Sequence, residues 1–227
     1  QQGVSVVITV DTGISAHYEA DVANELGLDY IVTDHHEVPP ELPNAYAVVN
    51  PKRLDCPYPF KELAGVGVAF KFAHALLGKV PKDLLDLVAI GTVSDLVPLV
   101  DENRKFVIEG IPRMETSTKP GIQALLASCG NKGQPLDEEQ IGFMIGPRLN
   151  AAGRLDSADI ALQLLISEDA DEADAYAKKL TDLNKERQQI VEKIAAEAIE
   201  IVKERYANDR VIVVANEGWH EGVLGIV

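Results

Sequence analysis

Asp34-His35-His36 puts a carboxylate and two imidazoles at one point of the chain, directly after the apolar run Tyr30-Ile31-Val32-Thr33. Hard divalent cations take carboxylate oxygens, and imidazole suits borderline metals such as manganese, iron or zinc. A second strand-like run, Val4 to Val10, ends in Asp11-Thr12-Gly13. A third apolar stretch, Leu84 to Val93, ends in Ser94-Asp95. Three segments thus each deliver an aspartate where a hydrophobic element stops. In an open parallel sheet, ligands gather just beyond the carboxyl ends of the strands. Asp11, Asp34, His35, His36 and Asp95 are therefore expected to converge on one metal site. Taken singly, Asp11 reads as a turn residue, because Asp and Gly dominate turns, and Asp95 as a helix terminus. The Asp-His-His cluster one strand away favours ligation by Asp11. A carboxylate leaving a buried element is costly without a partner, which favours ligation by Asp95.

The elements that must position these residues follow from hydrophobic periodicity. Val4 to Val10 is continuous and β-branched, so it reads as a buried parallel strand. Tyr18 to Leu26 has helical spacing, Asp29 to Thr33 is the next strand, and Tyr46 to Val49 a short third. This order predicts a right-handed crossover and a parallel sheet. Pro39, Pro40 and Pro43 fix the loop after the Asp-His-His cluster, and Pro51 to Pro59 is a second proline-rich loop. From Gly65 onward the pattern is helical. Val66 to Leu77 and Leu84 to Val93 are apolar on most faces, which suits buried helices. Further helices are expected over Asn103 to Met114, Gly121 to Ser128, Asp137 to Ile145 and Ala158 to Leu165.

Asp171 to Arg205 reads as one long charged helix with apolar residues at Leu180, Leu183, Ile190, Ile194, Ile199 and Val202. Their spacing drifts off strict heptads, which favours a helix tying two domains across a groove over a coiled-coil arm. Arg210 to Ala215 reads as a strand opening a second domain. The expected fold class is α/β: a parallel sheet flanked by helices, then a helical region and a long connecting helix into the start of a second α/β domain. The corresponding boundaries are 1–170, 171–206 and 207–227.

A chain of 227 residues buries a sizeable core. With 46% apolar and 25% charged residues its composition is that of a soluble globular protein. Aromatics are only 5%, so the core must rest on Val, Ile, Leu and Ala. No apolar run approaches a membrane span and no signal peptide is visible. Cys56 and Cys129 have no metal-ligand spacing and suit a reducing cytosol. The net charge of −15 counts against a basic nucleic-acid footprint. Much of that acidity lies in Glu168 to Glu204 and in Asp137-Glu138-Glu139, where it solvates exposed faces. Some lies on the proposed ligands, where bound cations reverse the local sign.

Two further segments could meet a substrate. Guanidinium groups such as Arg148 and Arg154 fork onto phosphate oxygens, and Asn150 can donate to a sugar or base. Asn150-Ala151-Ala152-Gly153 has little side-chain bulk, so a nucleic-acid strand could approach its backbone. Alternatively, both arginines pair with acidic helix neighbours. Trp219 and His220 lie between glycines in Glu217-Gly218-Trp219-His220-Glu221-Gly222. The indole either stacks on a base, with His220 on phosphate, or anchors a core. His17 and His74 read as ordinary helix residues.

Val10-Asp11-Thr12-Gly13, Thr33-Asp34-His35-His36 and Gly91-Thr92-Val93-Ser94-Asp95 resemble the second, third and fourth motifs of the DHH phosphoesterase superfamily. Ile145-Gly146-Pro147-Arg148-Leu149-Asn150-Ala151-Ala152-Gly153-Arg154-Leu155, the long charged helix and Gly218-Trp219-His220-Glu221-Gly222-Val223 narrow the resemblance. In that order, over essentially the whole chain, they are similar to the superfamily's bacterial single-strand-specific 5′-to-3′ DNA exonucleases, which act in DNA repair and recombination.

The resemblance implies two Mn²⁺ or Mg²⁺ ions in an intact parent. Asp11 would bridge them, His35 would bind one, Asp95 would complete that ion's shell, and His36 would contact the scissile phosphate. Asp34 would ligate weakly or, as a second carboxylate behind the ligands, hold an imidazole N–H and set its tautomer. Arg148, Asn150, Arg154, Trp219 and His220 would bind substrate. The implied partners are single-stranded DNA, a single-strand-binding protein and a helicase, in the cytoplasm and without a membrane. The family's first motif, Asp-x-Asp, is not found before Val4. The chain is therefore expected to be an interior fragment, holding at most one ion weakly and having little or no activity. Two other functions compete: a phosphodiesterase for short oligonucleotides or cyclic dinucleotides, and a metal-free scaffold that binds a partner through the acidic helix.

Overall fold

The computed structural model describes residues 3–130, 135–206 and 209–227. Two compact units are present: residues 1–117 with 135–142, and residues 118–134 with 143–227.

The first unit begins with three parallel strands, β1 (Val6–Val10), β2 (Asp29–Thr33) and β3 (Ala47–Val49), in spatial order β1-β2-β3. Helix α1 (His17–Glu25) makes the crossover between the first two. The register sets Val10 beside Thr33 and Thr33 beside Val49, so all three strands end flush. The hydrogen bonds run one step past the ladder: the Asp11 N–H donates to the Thr33 carbonyl and the Asp34 N–H to the Val49 carbonyl, each at 3.0 Å. The residues that follow the strands are consequently held in line.

One sheet face packs Tyr30 and Val32 on Ala20 and Ala23 of α1. β1 differs from the buried strand its apolar run predicts. It is an edge strand, and Val6, Ile8 and Val10 are 44–52% exposed. Continuous apolarity normally signals a strand covered on both faces; here no described element covers the outward face of β1.

Helices α2 (Gly65–Leu77), α3 (Leu85–Ser94) and α4 (Asp101–Glu115) complete this unit. Their core joins Leu63, Val68, Phe70, Leu85, Val88 and Phe106. Phe70 and Phe106 meet edge to face with centroids 5.3 Å apart. α3 and α4 approach so closely that a Cβ at Gly110 would lie 2.3 Å from the Leu85 carbonyl oxygen. Residues Glu138–Gln140 form a short turn of helix, α6, whose start Asp137 caps by accepting the Gln140 N–H.

In the second unit, α5 (Pro120–Ser128), α7 (Gly146–Leu155) and α8 (Asp159–Ile166) pack against α9 (Ala170–Arg205). Ala173, Ala177, Leu180 and Asn184 are the buried stripe of α9, at steps of four and three. Asp169 caps the start of α9 by accepting the Glu172 N–H. The single helix expected over Asp137 to Ile145 is instead α6 followed by a π-helical stretch, Ile141–Ile145, that runs into α7. Arg210 to Ala215 is not a strand. β-structure requires a ladder partner, and no described segment pairs with it; Val211 and Val213 stand exposed. Residues 207 and 208, where the expected second domain opens, lie outside the described residues. A short 3₁₀ turn, Glu221–Ile226, buries Val223.

Candidate metal centre

Asp34 is the hub of the site. Its carboxylate is 1% exposed and accepts four hydrogen bonds. The Ile14 N–H reaches Oδ2 at 2.9 Å; the His35 and His36 N–H groups reach Oδ1 at 2.8 and 3.2 Å; His36 Nδ1 lies 2.7 Å from Oδ1. Burial works to raise the Asp34 pKa, but the bonds from Ile14, His36 and His35 outweigh it and hold the group below its ordinary range. The same hydrogen bond raises the His36 pKa, against its partial burial and with help from the charges of Asp34, Asp11 and Asp95. Asp34 therefore faces inward and fixes the His36 ring. That ring is 59% exposed and leaves Nε2 free.

His35 lies on the other side of the strand end. Its ring is 10% exposed, and Nε2 is buried without a hydrogen bond. That nitrogen is 3.0 Å from Asp11 Oδ1 and 3.4 Å from Asp95 Oδ2. Ligand atoms of Asp11, His35 and His36 all fall within 4.8 Å of one another. A buried imidazole nitrogen without a hydrogen-bond donor, flanked by two carboxylates, has the donor chemistry of a divalent-cation site.

Local strain and charge agree with that fit. Asp11 holds φ at 61° and Leu96, which follows Asp95, at 59°; non-glycine residues pay for such angles, and they concentrate at functional sites. Burial raises the Asp11 pKa first; His35 and His36 oppose the rise, while Asp95 and Asp34 add to it. Asp95 is the C-cap of α3, a helix with no basic residue in its last turn. A carboxylate at the negative end of a helix dipole is unfavourable until a cation joins it.

Asn50 was not anticipated. It follows Val49 as Asp34 follows Thr33, is buried, and donates from Nδ2 to the His36 carbonyl at 3.0 Å while accepting the Lys52 N–H on Oδ1 at 2.8 Å. Its position one step past a strand end was the available signal. A mainly apolar cavity of about 500 Å³, lined by Val48, Pro51, Pro57, Leu63 and Phe72, includes none of Asp11, Asp34, His35, His36 or Asp95 in its wall.

The remaining predicted residues lie in the second unit, where Arg154 and His220 both bond Gly222. Arg148 donates from Nη1 to the Met144 carbonyl at 2.6 Å and from Nη2 to the Ser128 carbonyl at 3.4 Å, so its fork is engaged by backbone. Asn150 is exposed on α7. Ala151 and Ala152 are fully buried and serve helix packing, whereas Gly153 is exposed. Arg154 donates to the Gly222 carbonyl at 3.1 Å. Trp219 Nε1 donates to Glu197 Oε2 at 2.8 Å, and His220 Nδ1 accepts the Gly222 N–H at 3.1 Å. Arg187, on α9, was also missed. It donates twice to Asn184 Oδ1, and its pKa is lowered first by burial and then by the charge of Arg154. Neither Arg154 nor Arg187 has a carboxylate partner among the described residues.

Aspartates and paired histidines at the flush ends of a parallel sheet make a candidate divalent-cation centre. Residues 3–92 match the DHH family, N-terminal domain. The chain is similar to the single-stranded-DNA-specific exonuclease RecJ of Bacillus subtilis (strain 168), 54% identical over all 227 residues, and to that of Escherichia coli (strain K12), 39% identical over 246 aligned residues. It spans 29% of the length of the first and 43% of the second. Among solved structures, exonuclease RecJ bound to manganese superposes with a TM-score of 0.84 at 36% identity, over 98% of this chain and 56% of that one. RecJ from Thermus thermophilus superposes at 0.85 in complex with Mn²⁺ and at 0.76 in complex with Mg²⁺, over 34% and 32% of those chains.

Proposed function

We propose that this chain carries part of the catalytic centre of a metal-dependent 5′-to-3′ exonuclease acting on single-stranded DNA in repair and recombination. One observation carries the reading: the buried His35 Nε2, without a hydrogen bond, held between Asp11 and Asp95. Asp11, His35 and Asp95 would hold Mn²⁺ or Mg²⁺: His35 Nε2 lies 3.0 Å from Asp11 Oδ1 and 3.4 Å from Asp95 Oδ2. The bound cation would lower the pKa of a water and offset charge on the phosphorus. His36, cationic over a wider pH range because Asp34 accepts from its Nδ1, would present Nε2 to a phosphate oxygen and steady its developing charge. Asp34 acts by orienting His36. Arg154 and Arg187 would contact backbone phosphates, with Trp219 stacking on a base. The organisation that fits is a catalytic domain over 1–170, a connecting helix over 171–206 and the start of a substrate-binding domain at 207–227. Partners of the parent would be a single-strand-binding protein and a helicase, in the cytoplasm.

Calorimetric titration of this chain with Mn²⁺ tests the centre. Uptake abolished by His35→Ala supports it; equal uptake by the variant overturns it. Arg187→Met should lower the slope of log affinity for single-stranded DNA against log salt by about 1. The net charge of −15 favours a second reading, hydrolysis of short oligonucleotides or cyclic dinucleotides. Comparing the full-length parent on long strands and on dinucleotides separates the two.

A further inference from the structure

Two glycines outside the Asp-His-His cluster control its geometry. α2 begins at Gly65, and a Cβ added there would lie 2.1 Å from Asp11 Oδ1, 2.4 Å from Cγ and 2.6 Å from Cβ. The first turn of α2 therefore lies flat against the Asp11 side chain, with no room for even one methyl group. On its other side the same turn meets α3. A Cβ at Gly91 would lie 2.7 Å from Val66 Cγ1 and 2.9 Å from Val66 Cβ. Gly91 is one turn before Asp95, and its carbonyl accepts the Asp95 N–H at 3.0 Å. The first turn of α2 is thus a spacer with Asp11 against one flank and the turn that presents Asp95 against the other.

We propose that Gly65 and Gly91 are positioning residues: by leaving room for the backbone of α2 against Asp11 and for the Val66 side chain against α3, they set the separation of the Asp11 and Asp95 carboxylates on either side of His35. This rests on the metal-centre reading above. Close packing transmits such a constraint, because a core displaced by one methyl shifts as a body instead of yielding locally. The carboxylate has little freedom to retreat, since Asp11 is already in the left-handed region at φ 61°. Groups that orient metal ligands typically change affinity 10–100-fold when altered.

The test uses the 227-residue chain and Mn²⁺ alone. Gly65→Ala should weaken Mn²⁺ binding about 10-fold or more, and Gly91→Ala should weaken it in the same direction. Gly67→Ala is the control, since its Cβ would meet only Leu63 and Phe106 side-chain atoms, none closer than 3.3 Å; it should leave binding within about twofold of the parent. A second readout needs no metal. Asp11→Gly removes the atoms that a Cβ at 65 would strike and suits the positive φ, so the loss of melting temperature caused by Gly65→Ala should largely vanish in that background. Should Gly65→Ala alone not fold, the double variant should. Mn²⁺ binding by a folded Gly65→Ala within twofold of the parent overturns the proposal. So does a thermal cost that is the same with Asp11 and with glycine at 11. If the parent takes up no Mn²⁺, the metal reading falls, and the thermal comparison alone decides whether Gly65 is keyed to Asp11.

Discussion

Asp34 illustrates how one buried carboxylate can organise a site without touching its ligand. Three backbone N–H groups and an imidazole nitrogen converge on it. Asp34→Ala leaves those N–H groups without an acceptor in a buried setting. We expect a loss of about 2–4 kcal/mol in urea denaturation, together with loss of the fixed His36 ring. Asp34→Asn, which keeps one acceptor oxygen, should lose less. The residues that follow strand ends were legible in the sequence because a hydrophobic run that stops at an aspartate is unusual. Asn50 was not, since an asparagine before a proline reads as turn chemistry until its register beside Asp34 is known. Gly65 was invisible for a related reason: the need for glycine comes from the Asp11 side chain, 54 positions earlier, and not from its own helix. The two arginines divide likewise. Phosphate-binding residue types were readable, but that Arg148 would be engaged by the Met144 and Ser128 carbonyls depended on where the fold brings Ser128, 20 positions earlier in the chain.

At the scale of elements, helix positions followed closely from apolar spacing, and the exceptions have local causes. The π-helical stretch interrupts what reads as one helix, and the run at 210–215 has β-branched residues without an edge to join. α3 and α4 depend on Gly110 for their contact, and Gly110→Ala should cost about 1–3 kcal/mol by overpacking against backbone, read from chemical denaturation.

A polar network ties α2 to α4: Lys71 and Tyr58 both bond the Glu102 carboxylate. Burial acts to lower the Lys71 pKa, but the bonds to Glu102 and Tyr58 outweigh it and raise it; burial, then the bond to Glu102, raises that of Tyr58. Both folded-state values exceed the ordinary 10.5 and 10.0. The folded chain therefore holds these protons more tightly, and the linked stability is present below about pH 10 and lost as pH rises through the folded values. Urea midpoints should fall from about pH 9 to about pH 11, and Lys71→Met should flatten that fall.

At the scale of the whole chain, the parallel sheet was expected, but the exposure of β1 was not, because apolar composition reports what a strand is suited to contact and not what is present to contact it. An edge strand with Val6, Ile8 and Val10 open to solvent is a template for pairing with another chain. Sedimentation velocity should show concentration-dependent self-association, and Ile8→Lys should suppress it while leaving the melting temperature nearly unchanged.

The contact of Trp219 with Glu197 on α9 has a practical consequence. Trp219 is the sole tryptophan of the chain, so indole emission comes from a single address, beside a carboxylate at the midpoint of the distal half of a helix about 54 Å long. Nothing buried is found on α9 beyond Ile194. Fluorescence will therefore follow the fraying of that lightly clothed half, whereas circular dichroism follows all helices at once. A shift in emission that precedes the loss of ellipticity on heating would time the release of this end of α9 before the rest of the chain melts.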